Sequence, residues 1–395
     1  MKKVLFITSL YYPHVGGIET MVSELARFYR TQGIESVVLT KKWPLSLSAE
    51  EEHDGVKIYR VVSARHEDEF VGIIEWVKNN ENLIKADVIH IIGVRRPLPI
   101  IGVLLGSYWG VPVISTVAGG EIPNTGDDNT LAVWNEGKEN MLPVLYRSDL
   151  VTTVSRALEV DLQKIAPKLS AVKTVYAGID IDSIKGIPCT ETKNNYLVSL
   201  RRLIPSKGVC TLIKAFKILE NEFTSLCLII AGEGPEEQDL KILAKDLELE
   251  KRIDFIGTVS FERAVSLLKG AVCTVVPSLS EGGGLVNVEA QAAKCPVVAS
   301  SVGGIPEYVQ DKISGLLFEP GNPNKLADAL RMIIADTSLR DRLIAGGVAY
   351  AYKFSWKVLG PEYVSLYESS KKGLVIRPFI PWSELTNKLW LMLKK

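Results

Sequence analysis

The chain has 395 residues, which is too long for one ordinary hydrophobic core and suits two α/β domains. Lys and Arg number 46 and Asp and Glu also number 46, so the formal net charge is zero and no global basic excess points to a nucleic-acid-binding protein. Charge that binds a ligand must therefore be local.

The five cysteines are scattered without CxxC spacing, and three of them fall in apolar runs that are typical of a core. We interpret them as reduced thiols of a cytoplasmic protein. The four histidines show no metal-ligand spacing, and Asp127-Asp128-Asn129 lies in a polar stretch that we interpret as a solvated loop. We therefore expect no metal ion. The cysteines are Cys189, Cys210, Cys227, Cys273 and Cys295.

The first elements predict a strand over Val4 to Ser9, a loop over Tyr11 to Gly17 and a helix over Ile18 to Thr31. Two lysines and the apolar run resemble a signal peptide, but the run is short and lacks a small-residue cleavage site. Gly16 and Gly17 directly precede the helix, without the GxGxxG spacing of a dinucleotide fingerprint. A strand, loop and helix in this order open a doubly wound domain.

Further strands alternate with helical stretches and predict one domain over residues 1–182. No charge occurs between Arg96 and Glu121, which is long enough to raise the question of a membrane span. Prolines and glycines interrupt that stretch, which favours a helix followed by a strand. The predicted strands are Ser36 to Thr40, Val56 to Val61, Val88 to Ile92, Val111 to Val117 and Leu150 to Val154.

A polar, aperiodic stretch, Ile181 to Asn195, predicts a linker, and a second domain follows over 192–350. Residues 351–395 predict closing helices and a tail in which Trp382, Leu385, Leu389 and Leu393 share one helical face. Two interpretations of that face stay open: packing on the first domain, and shallow membrane attachment. The second domain's predicted strands are Tyr196 to Leu200, Leu226 to Ala231, Ile253 to Ile256, Ala271 to Val276 and Pro296 to Ser300.

Two strand, Gly-rich turn and helix units follow each other over Pro277 to Glu307. After the first strand, three glycines allow the backbone to approach a ligand, and a helix beginning near Leu285 offers free N–H groups to an anion. Glu281 precedes the glycines and Glu289 follows in the helix, so that both carboxylates are candidates for one site. The alternative is that these are ordinary βα turns that bind nothing.

Cations follow a strand in Arg201-Arg202-Leu-Ile-Pro-Ser-Lys207-Gly, at the end of a parallel sheet where ligands bind. This run, the Glu281 and Glu289 spacing, and the PVVAS and GGIPE runs after them resemble the signature of glycosyltransferase family 4. Members of that family are retaining transferases of the GT-B fold that use sugar nucleotides. The resemblance extends from the first Gly-rich loop to Tyr367. It implies two Rossmann-like doubly wound domains facing across a cleft, with C-terminal helices crossing back to the first domain.

The resemblance also implies roles for single residues. Arg202 and Lys207 would hold the donor's diphosphate, Glu281 would contact the donor sugar, and Glu289 would accept hydrogen bonds from the ribose hydroxyls. Arg201 stands where the family usually has Gly. The complete set implied at the donor is Gly16, Gly17, Arg202, Lys207, Gly257, Glu281, Gly283, Gly284, Leu285, Val286 and Glu289, with Arg202, Lys207 and Glu281 as the catalytic candidates.

One departure from the family lies in the first domain. Many members have His in a Thr-x-His-Gly run, where this chain has Thr116-Val-Ala118 followed by Gly119, Gly120 and Glu121. We expect these last three residues to face the donor sugar or the acceptor, and Glu121 to substitute in part for the missing His.

The leading hypothesis is a retaining, metal-independent transferase without a cofactor that moves a sugar from a nucleotide diphosphate to a hydroxyl of a polysaccharide or lipid-linked glycan. Its location would be the cytoplasm or the inner face of the membrane. Two alternatives stay open: a sugar-nucleotide epimerase on the same fold, and a binding module without turnover, for which Ala118 is the argument.

Overall fold

The computed structural model describes residues 1–14, 16–62, 66–95, 97–123, 128–169, 171–191, 195–372 and 380–394. Contacts within the chain divide it into two compact units. The first unit contains Met1–Pro123, Thr130–Gly178 and Leu359–Lys395, and the second contains Ile179–Val358.

The first unit is built on an eight-stranded sheet in which every pairing is parallel except that of the edge strand β3 with β4. The strand order is β3-β4-β2-β1-β5-β6-β7-β8. Strands β2 to β4 therefore lie on one side of β1, and β5 to β8 lie on the other. The place between β1 and β5 where the strand order reverses is the switch point of the sheet. Ligands of open α/β sheets bind there, outside the carboxyl ends of the strands. The strands are β1 (Lys3–Ile7), β2 (Glu35–Lys41), β3 (Glu50–His53), β4 (Val56–Val61), β5 (Val88–Ile92), β6 (Val113–Val117), β7 (Leu150–Thr153) and β8 (Val172–Thr174).

Helices connect these strands: α1 (Gly17–Thr31), α2 (Glu67–Asn79), α3 (Glu81–Ile84), α4 (Pro99–Trp109), α5 (Asp128–Arg147) and α6 (Arg156–Ile165). Helix α4 comes from the charge-free stretch and is buried along its first eight residues, as expected of a helix that is apolar on all sides. The prediction of a helix followed by a strand is confirmed there. Among the described residues, no helix combines the length and the hydropathy needed to span a bilayer.

The second unit is built on a six-stranded, fully parallel sheet in the order β11-β10-β9-β12-β13-β14. Its switch point lies between β9 and β12. The strands are β9 (Tyr196–Leu200), β10 (Cys227–Ala231), β11 (Ile253–Phe255), β12 (Cys273–Val276), β13 (Val297–Ser300) and β14 (Leu316–Phe318). The helices are α7 (Ile181–Gly186), α8 (Val209–Leu219), α9 (Glu237–Asp246), α10 (Phe261–Gly270), α11 (Leu285–Ala292), α12 (Ile305–Tyr308), α13 (Pro323–Ala335) and α14 (Thr337–Ala351).

The structure corrects two local expectations. The pattern is not βα throughout, because β3 and β4 form an antiparallel hairpin. The predicted linker is also more ordered than its polar composition suggests, since α7 occupies its first part. Farther on, the backbone N–H of Thr190 donates to Ser266 Oγ on α10 at 2.8 Å, and Ser266 Oγ donates to Glu191 Oε1 at 3.1 Å. Linker residues are therefore fixed to the second unit.

Helix α15 (Trp356–Lys372) returns the chain to the first unit from Leu359 onward. The Tyr363 hydroxyl donates to the carbonyl oxygen of Tyr176 at 3.1 Å, and the Tyr367 hydroxyl is hydrogen bonded to His90 Nδ1. His90 is fully buried on β5, so the helix is anchored in the core of the first unit.

Helix α16 (Glu384–Lys394) packs on α2 and α4 of the same unit. Leu389 and Leu393 are fully buried there, and Lys388 forms an ion pair with Glu67 on α2 at 2.6 Å. Trp382, before the helix, stacks under the Arg147 guanidinium at 4.3 Å from its ring centre. The packing interpretation of the tail's apolar face is thus confirmed for the described residues.

Candidate active site

Charged side chains of the second unit meet at the carboxyl ends of β9 and β12, next to the switch point. Arg201 directly follows β9, and a one-turn 3-10 helix, Pro205–Lys207, places Lys207 nearby. Glu281 comes from the loop between β12 and α11. Lys207 and Glu281, two of the three catalytic candidates, are therefore brought together.

The 3-10 turn and the loop after β12 are held together through their backbones. The N–H groups of Leu279 and Ser280 both donate to the Ser206 carbonyl oxygen, at 2.9 and 3.2 Å. Gly208 has a φ of +64°, and a Cβ at this position would lie only 2.1 Å from the Pro277 carbonyl oxygen. Only glycine allows so close an approach, and this approach brings Lys207 to the loop of Glu281.

The next turn along the sheet fixes the backbone of Glu281. The N–H of Gly304 donates to the Glu281 carbonyl oxygen at 3.0 Å. Gly303 has a φ of +52°, and a Cβ there would lie 2.0 Å from that same oxygen. The glycines of the GGIPE run therefore serve to position Glu281.

One carboxylate oxygen of Glu281 collects three donors. Oε2 lies 2.9 Å from Lys207 Nζ and 3.2 Å from Ser278 Oγ, and it also accepts a hydrogen bond from Arg201 Nη2. The same Arg201 nitrogen donates to Ser278 Oγ at 2.5 Å. Two cations and a hydroxyl thus hold this side chain in one orientation.

Charge, more than burial, sets the ionisation of Glu281. Burial alone would raise the pKa of Glu281, but Lys207 and Arg201 lower it to about 2. Burial lowers the pKa of Lys207 from its usual value, while the charge of Glu281 opposes that effect. With both cations charged and Glu281 ionised, the cluster keeps an excess positive charge, which suits an anionic ligand.

Arg202, the arginine that the resemblance assigned to the diphosphate, is exposed, and it forms no ion pair with a described carboxylate. Its charge lowers the pKa of Lys207, so the two cations influence each other. The buried partner of Glu281 is instead Arg201, which the sequence reasoning treated only as a replacement for Gly. Because successive residues of an extended chain point to opposite sides, the Arg-Arg pair already indicated that only one of them could turn inward.

Helix α11 begins at Leu285, as predicted, with Gly284 at its N-cap. Of the three glycines in this loop only Gly284 has a positive φ, of +155°. Leu285, Val286 and Glu289 are half-buried in the first two turns, and Gly283 is buried. The first N–H groups of α11 follow the Glu281 loop directly, where a helix N-terminus favours an anion.

Gly257, one of the residues that the resemblance implies at the donor, follows β11. Its carbonyl oxygen accepts the N–H of Gly232, after β10, at 2.7 Å. Such a backbone hydrogen bond is common where neighbouring parallel strands end, so it does not by itself indicate a ligand site at Gly257.

The first unit has its own group of predicted residues near its switch point. Gly16 caps α1 and Gly17 begins it. A Cβ on Gly93, just after β5, would lie 3.0 Å from Ile18 Cδ1 of α1 and 3.4 Å from Glu121 Oε1. The first turn of α1 and the loops after β5 and β6 therefore meet at this position.

Glu121 is buried at 5% exposure and folds back on its own loop. Its Oε2 accepts the N–H groups of Ala118 and Gly119 at 2.9 and 2.8 Å. Burial raises the pKa of this carboxyl, and those hydrogen bonds oppose the rise. Gly120 is exposed beside it. One oxygen of Glu121 is thus engaged locally, which the sequence alone did not indicate.

Within the part of the chain that the structure describes, no three His, Cys, Asp or Glu side chains are grouped as they would be around a metal ion. Asp127 lies outside the described residues, as do the side chains of Asp128 and Asn129.

Both units match family models of glycosyltransferases. Residues 15–183 match the model of Glycosyltransferase Family 4, and residues 180–348 match that of Glycosyl transferases group 1. A relative from Methanocaldococcus jannaschii, named an uncharacterized glycosyltransferase, is 30% identical over 90% of this chain and 95% of its own length.

Two further proteins carry more specific names. A GDP-mannose-dependent alpha-(1-6)-phosphatidylinositol monomannoside mannosyltransferase of Mycobacterium tuberculosis is 26% identical over 88% of this chain and 92% of its own. The crystal structure of Anabaena HepE in complex with UDP-glucose superimposes with a TM-score of 0.75 over 93% of this chain and all of the other, at 20% identity. A likeness at that identity shows the fold. The family models, the archaeal relative and the two parallel-sheet units together show that this chain belongs to the GT-B glycosyltransferases, in the group that includes glycosyltransferase family 4.

Proposed function

We propose that the protein is a retaining glycosyltransferase that takes a sugar from a nucleotide diphosphate donor and transfers it to a hydroxyl acceptor. The observation that carries the proposal is the cluster of Lys207, Arg201 and Glu281 beside the N-terminus of α11. Cations and helix N–H groups suit a diphosphate, and an ionised carboxylate next to them suits a sugar carbon that becomes cation-like.

The proposed reaction breaks the bond between the anomeric carbon and the diphosphate oxygen, and the electron pair stays on the diphosphate. The acceptor oxygen bonds to the same face of that carbon, and its proton leaves with the diphosphate or to solvent. Charge therefore grows on the leaving group, where preorganised donors lower the barrier most. We assign this role to Lys207, Arg202 and the N–H groups of Leu285 and Val286.

Glu281 would contact the donor sugar and oppose the positive charge that develops on it. Its low pKa keeps it ionised throughout the physiological range, as this role requires. Glu289, half-buried in the second turn of α11, would accept the ribose hydroxyls. In the first unit we propose Gly16 and Gly17 for the phosphates, and Gly119, Gly120 and Glu121 for the sugar or the acceptor.

The donor is proposed only as a sugar nucleotide. The mycobacterial relative is named for GDP-mannose, and the solved Anabaena protein is in complex with UDP-glucose, so the two names include one purine and one pyrimidine nucleotide. We propose a glycan or lipid-linked saccharide as the acceptor and the cytoplasmic side of the membrane as the location. The apolar face of α16 is buried, so contact with a membrane would use other residues.

We propose that no metal cofactor is needed, because Lys207 and Arg202 supply the positive charge that a metal would otherwise bring to the diphosphate. Excess EDTA should therefore leave turnover unchanged. A loss of turnover that Mg²⁺ or Mn²⁺ restores would contradict this part of the proposal.

The test is a panel of sugar nucleotides incubated with and without glycan and lipid-linked acceptors, with products identified by mass spectrometry and NMR. Transfer with the donor's anomeric configuration preserved is the expected result. Epimerised donor without transfer would establish the epimerase instead, and tight donor binding without any product would establish a binding module. Inverted configuration in the product would overturn the retaining mechanism alone.

A further inference from the structure

Arg201 belongs to this cluster, but neither the family resemblance nor the proposed reaction gives it a role of its own. Its side chain is 6% exposed, and Nη2 donates to both Ser278 Oγ and Glu281 Oε2. A buried guanidinium costs free energy unless its position brings a compensating gain. The only described carboxylate it pairs with is Glu281.

Lys207 and Arg201 share one oxygen of Glu281 but differ in what else they can do. In the proposed reaction the Lys207 ammonium group turns from Glu281 to the diphosphate. Glu281 then loses one of its two cationic partners. Arg201 stays behind, because Ser278 Oγ at 2.5 Å fixes the same nitrogen that bonds Glu281. The two cations therefore have separate tasks.

We propose that Arg201 is a positioning residue that keeps Glu281 ionised and correctly oriented while Lys207 binds the donor. This inference rests on the proposed function, since it assumes that Lys207 moves to the diphosphate. The charged groups that act on Glu281 are Arg201 after β9 and Lys207 on the 3-10 turn, and Arg202 acts on Lys207. Ser278 adds a hydroxyl, and the Gly303 turn adds backbone contacts only.

The proposal predicts a difference between two pH profiles. The profile of kcat/KM reports free enzyme, in which Lys207 still pairs with Glu281, whereas kcat reports the donor complex. Arg201→Met removes the charge at similar length. It should introduce an acid limb into kcat between about pH 5 and 8, because a buried carboxylate that loses its cation has a raised pKa. The acid limb of kcat/KM should move less.

In numbers, wild-type kcat should change less than about threefold between pH 7.5 and 5.5, and kcat of Arg201→Met should fall about tenfold or more. Arg201→Lys should restore most of the wild-type profile. Arg201→Lys should keep affinity for the free nucleoside diphosphate of the best donor within about threefold of wild type. Arg201→Met should lose less in this affinity than in kcat at pH 5.5, because the Arg201 side chain is bonded to Ser278 and Glu281.

An unshifted kcat profile in Arg201→Met would overturn the proposal, as would a large loss of nucleoside diphosphate affinity, which would make Arg201 a phosphate ligand. If Arg201→Met does not fold, Ser278→Ala serves instead, because it frees Arg201 without changing charge. It should shift the acid limb of kcat in the same direction, and no shift would again contradict the proposal.

Failure of the proposed function would look different. Wild-type protein that transfers no sugar in the donor panel would end the transferase proposal. The role of Arg201 would then be read from ¹³C NMR titration of Glu281, with nucleoside diphosphate bound, in wild type and Arg201→Met. Equal pKa values for Glu281 in the two proteins would overturn it.

Discussion

Lys207 Nζ lies 2.9 Å from Glu281 Oε2, so that the two residues proposed to act on opposite ends of the bond being broken are in direct contact. A diphosphate that enters the site must compete with Glu281 for this cation. Binding of the donor and release of Glu281 are therefore expected to be coupled.

Lys207→Ala should lower kcat by about a hundred- to a thousandfold, because charge on the leaving group grows in the transition state. Donor affinity should fall less than kcat. Lys214→Ala, at an exposed position on α8 of the same unit, is the matched control and should change neither. Steady-state kinetics and calorimetric titration of the donor measure the two effects. A loss of affinity with unchanged kcat would contradict the assignment.

Glu289→Ala should show the reverse pattern, because a ribose contact is made equally in the ground state and in the transition state. We expect KM for the donor and Kd for the nucleoside diphosphate to rise together while kcat stays close to wild type. A sugar phosphate without the nucleoside offers a further comparison, since its binding should not respond. A selective fall in kcat would instead place Glu289 at the reacting centre.

Gly303→Ala should disturb the site without touching a charged group. The new Cβ would meet the Glu281 carbonyl oxygen at 2.0 Å in a backbone conformation that favours glycine, so the Glu281 loop must shift. We expect kcat to fall by at least about tenfold, since small displacements of positioned groups are costly. Gly186→Ala is the control, because a Cβ there meets nothing within 4 Å. Equal activity of the two variants would show that Glu281 needs no such fixing.

Glu121→Gln should separate stability from function in the first unit. Burial raises the folded-state pKa of Glu121, so its contribution to stability is present below the unfolded-state value and is lost as pH rises through the folded-state value. The urea midpoint of wild type should therefore fall relative to that of Glu121→Gln as pH rises from about 4.5 to 8, because Gln does not titrate. If Glu121 contacts a donor hydroxyl, kcat/KM should fall at the same time. Unchanged kinetic constants for the best donor would exclude that contact.

His90 should make the first unit sensitive to acid. Its Nε2 lies 2.6 Å from Thr116 Oγ1, and burial lowers its pKa to about 3. The stability held by neutral His90 is present above the usual pKa of about 6.5 and is lost as pH falls toward 3, at about 1.4 kcal/mol per pH unit. His90→Gln should lower stability at pH 8 and flatten this dependence in urea unfolding. An equally steep dependence in the variant would assign the acid sensitivity to other groups.

The packing of α16 predicts unequal effects along one helix. Leu389→Ala and Leu393→Ala each remove a fully buried side chain and should cost about 2 to 5 kcal/mol of unfolding free energy. Leu391→Ala, at 51% exposure, should cost less than about 0.5 kcal/mol. Deletion of residues 373–395 should destabilise the first unit. Normal stability of the deletion, together with vesicle flotation that only the full chain shows, would revive the membrane interpretation.

Most strands could be predicted because an inner strand of a parallel sheet is a short apolar run between turn residues. Val56–Val61, Val88–Ile92 and Tyr196–Leu200 have the predicted bounds. The strands that were missed, β3, β8 and β14, lie at sheet edges. An edge strand pairs on one side only, so β3 and β8 need no apolar run, and β14 is apolar but only three residues long.

The candidate site also has features that could be predicted from the sequence and features that could not. The sequence pattern predicted that Lys207 and Glu281 both follow strands, at the end of a parallel sheet where ligands bind, and the family resemblance placed both at the donor. The choice between Arg201 and Arg202 as the inward residue depends on the direction in which β9 ends. The hydrogen bonds from the Ala118 and Gly119 N–H groups to Glu121 depend on the conformation of a loop. Neither detail could be predicted from the spacing of residues along the sequence.

Strand β3 closes one edge of the eight-stranded sheet, and its sequence is Glu-Glu-Glu-His. The outer side of an edge strand presents unpaired N–H and C=O groups, to which a strand of another molecule can add. Glu51 is paired with Arg60 at 2.7 Å, but the carboxylates of Glu50 and Glu52 make such an addition unfavourable, because a second copy would bring the same charges against them. The strand that the hydrophobic pattern failed to reveal is thus suited to protect the protein from aggregation, and its polar character is what gives it this role.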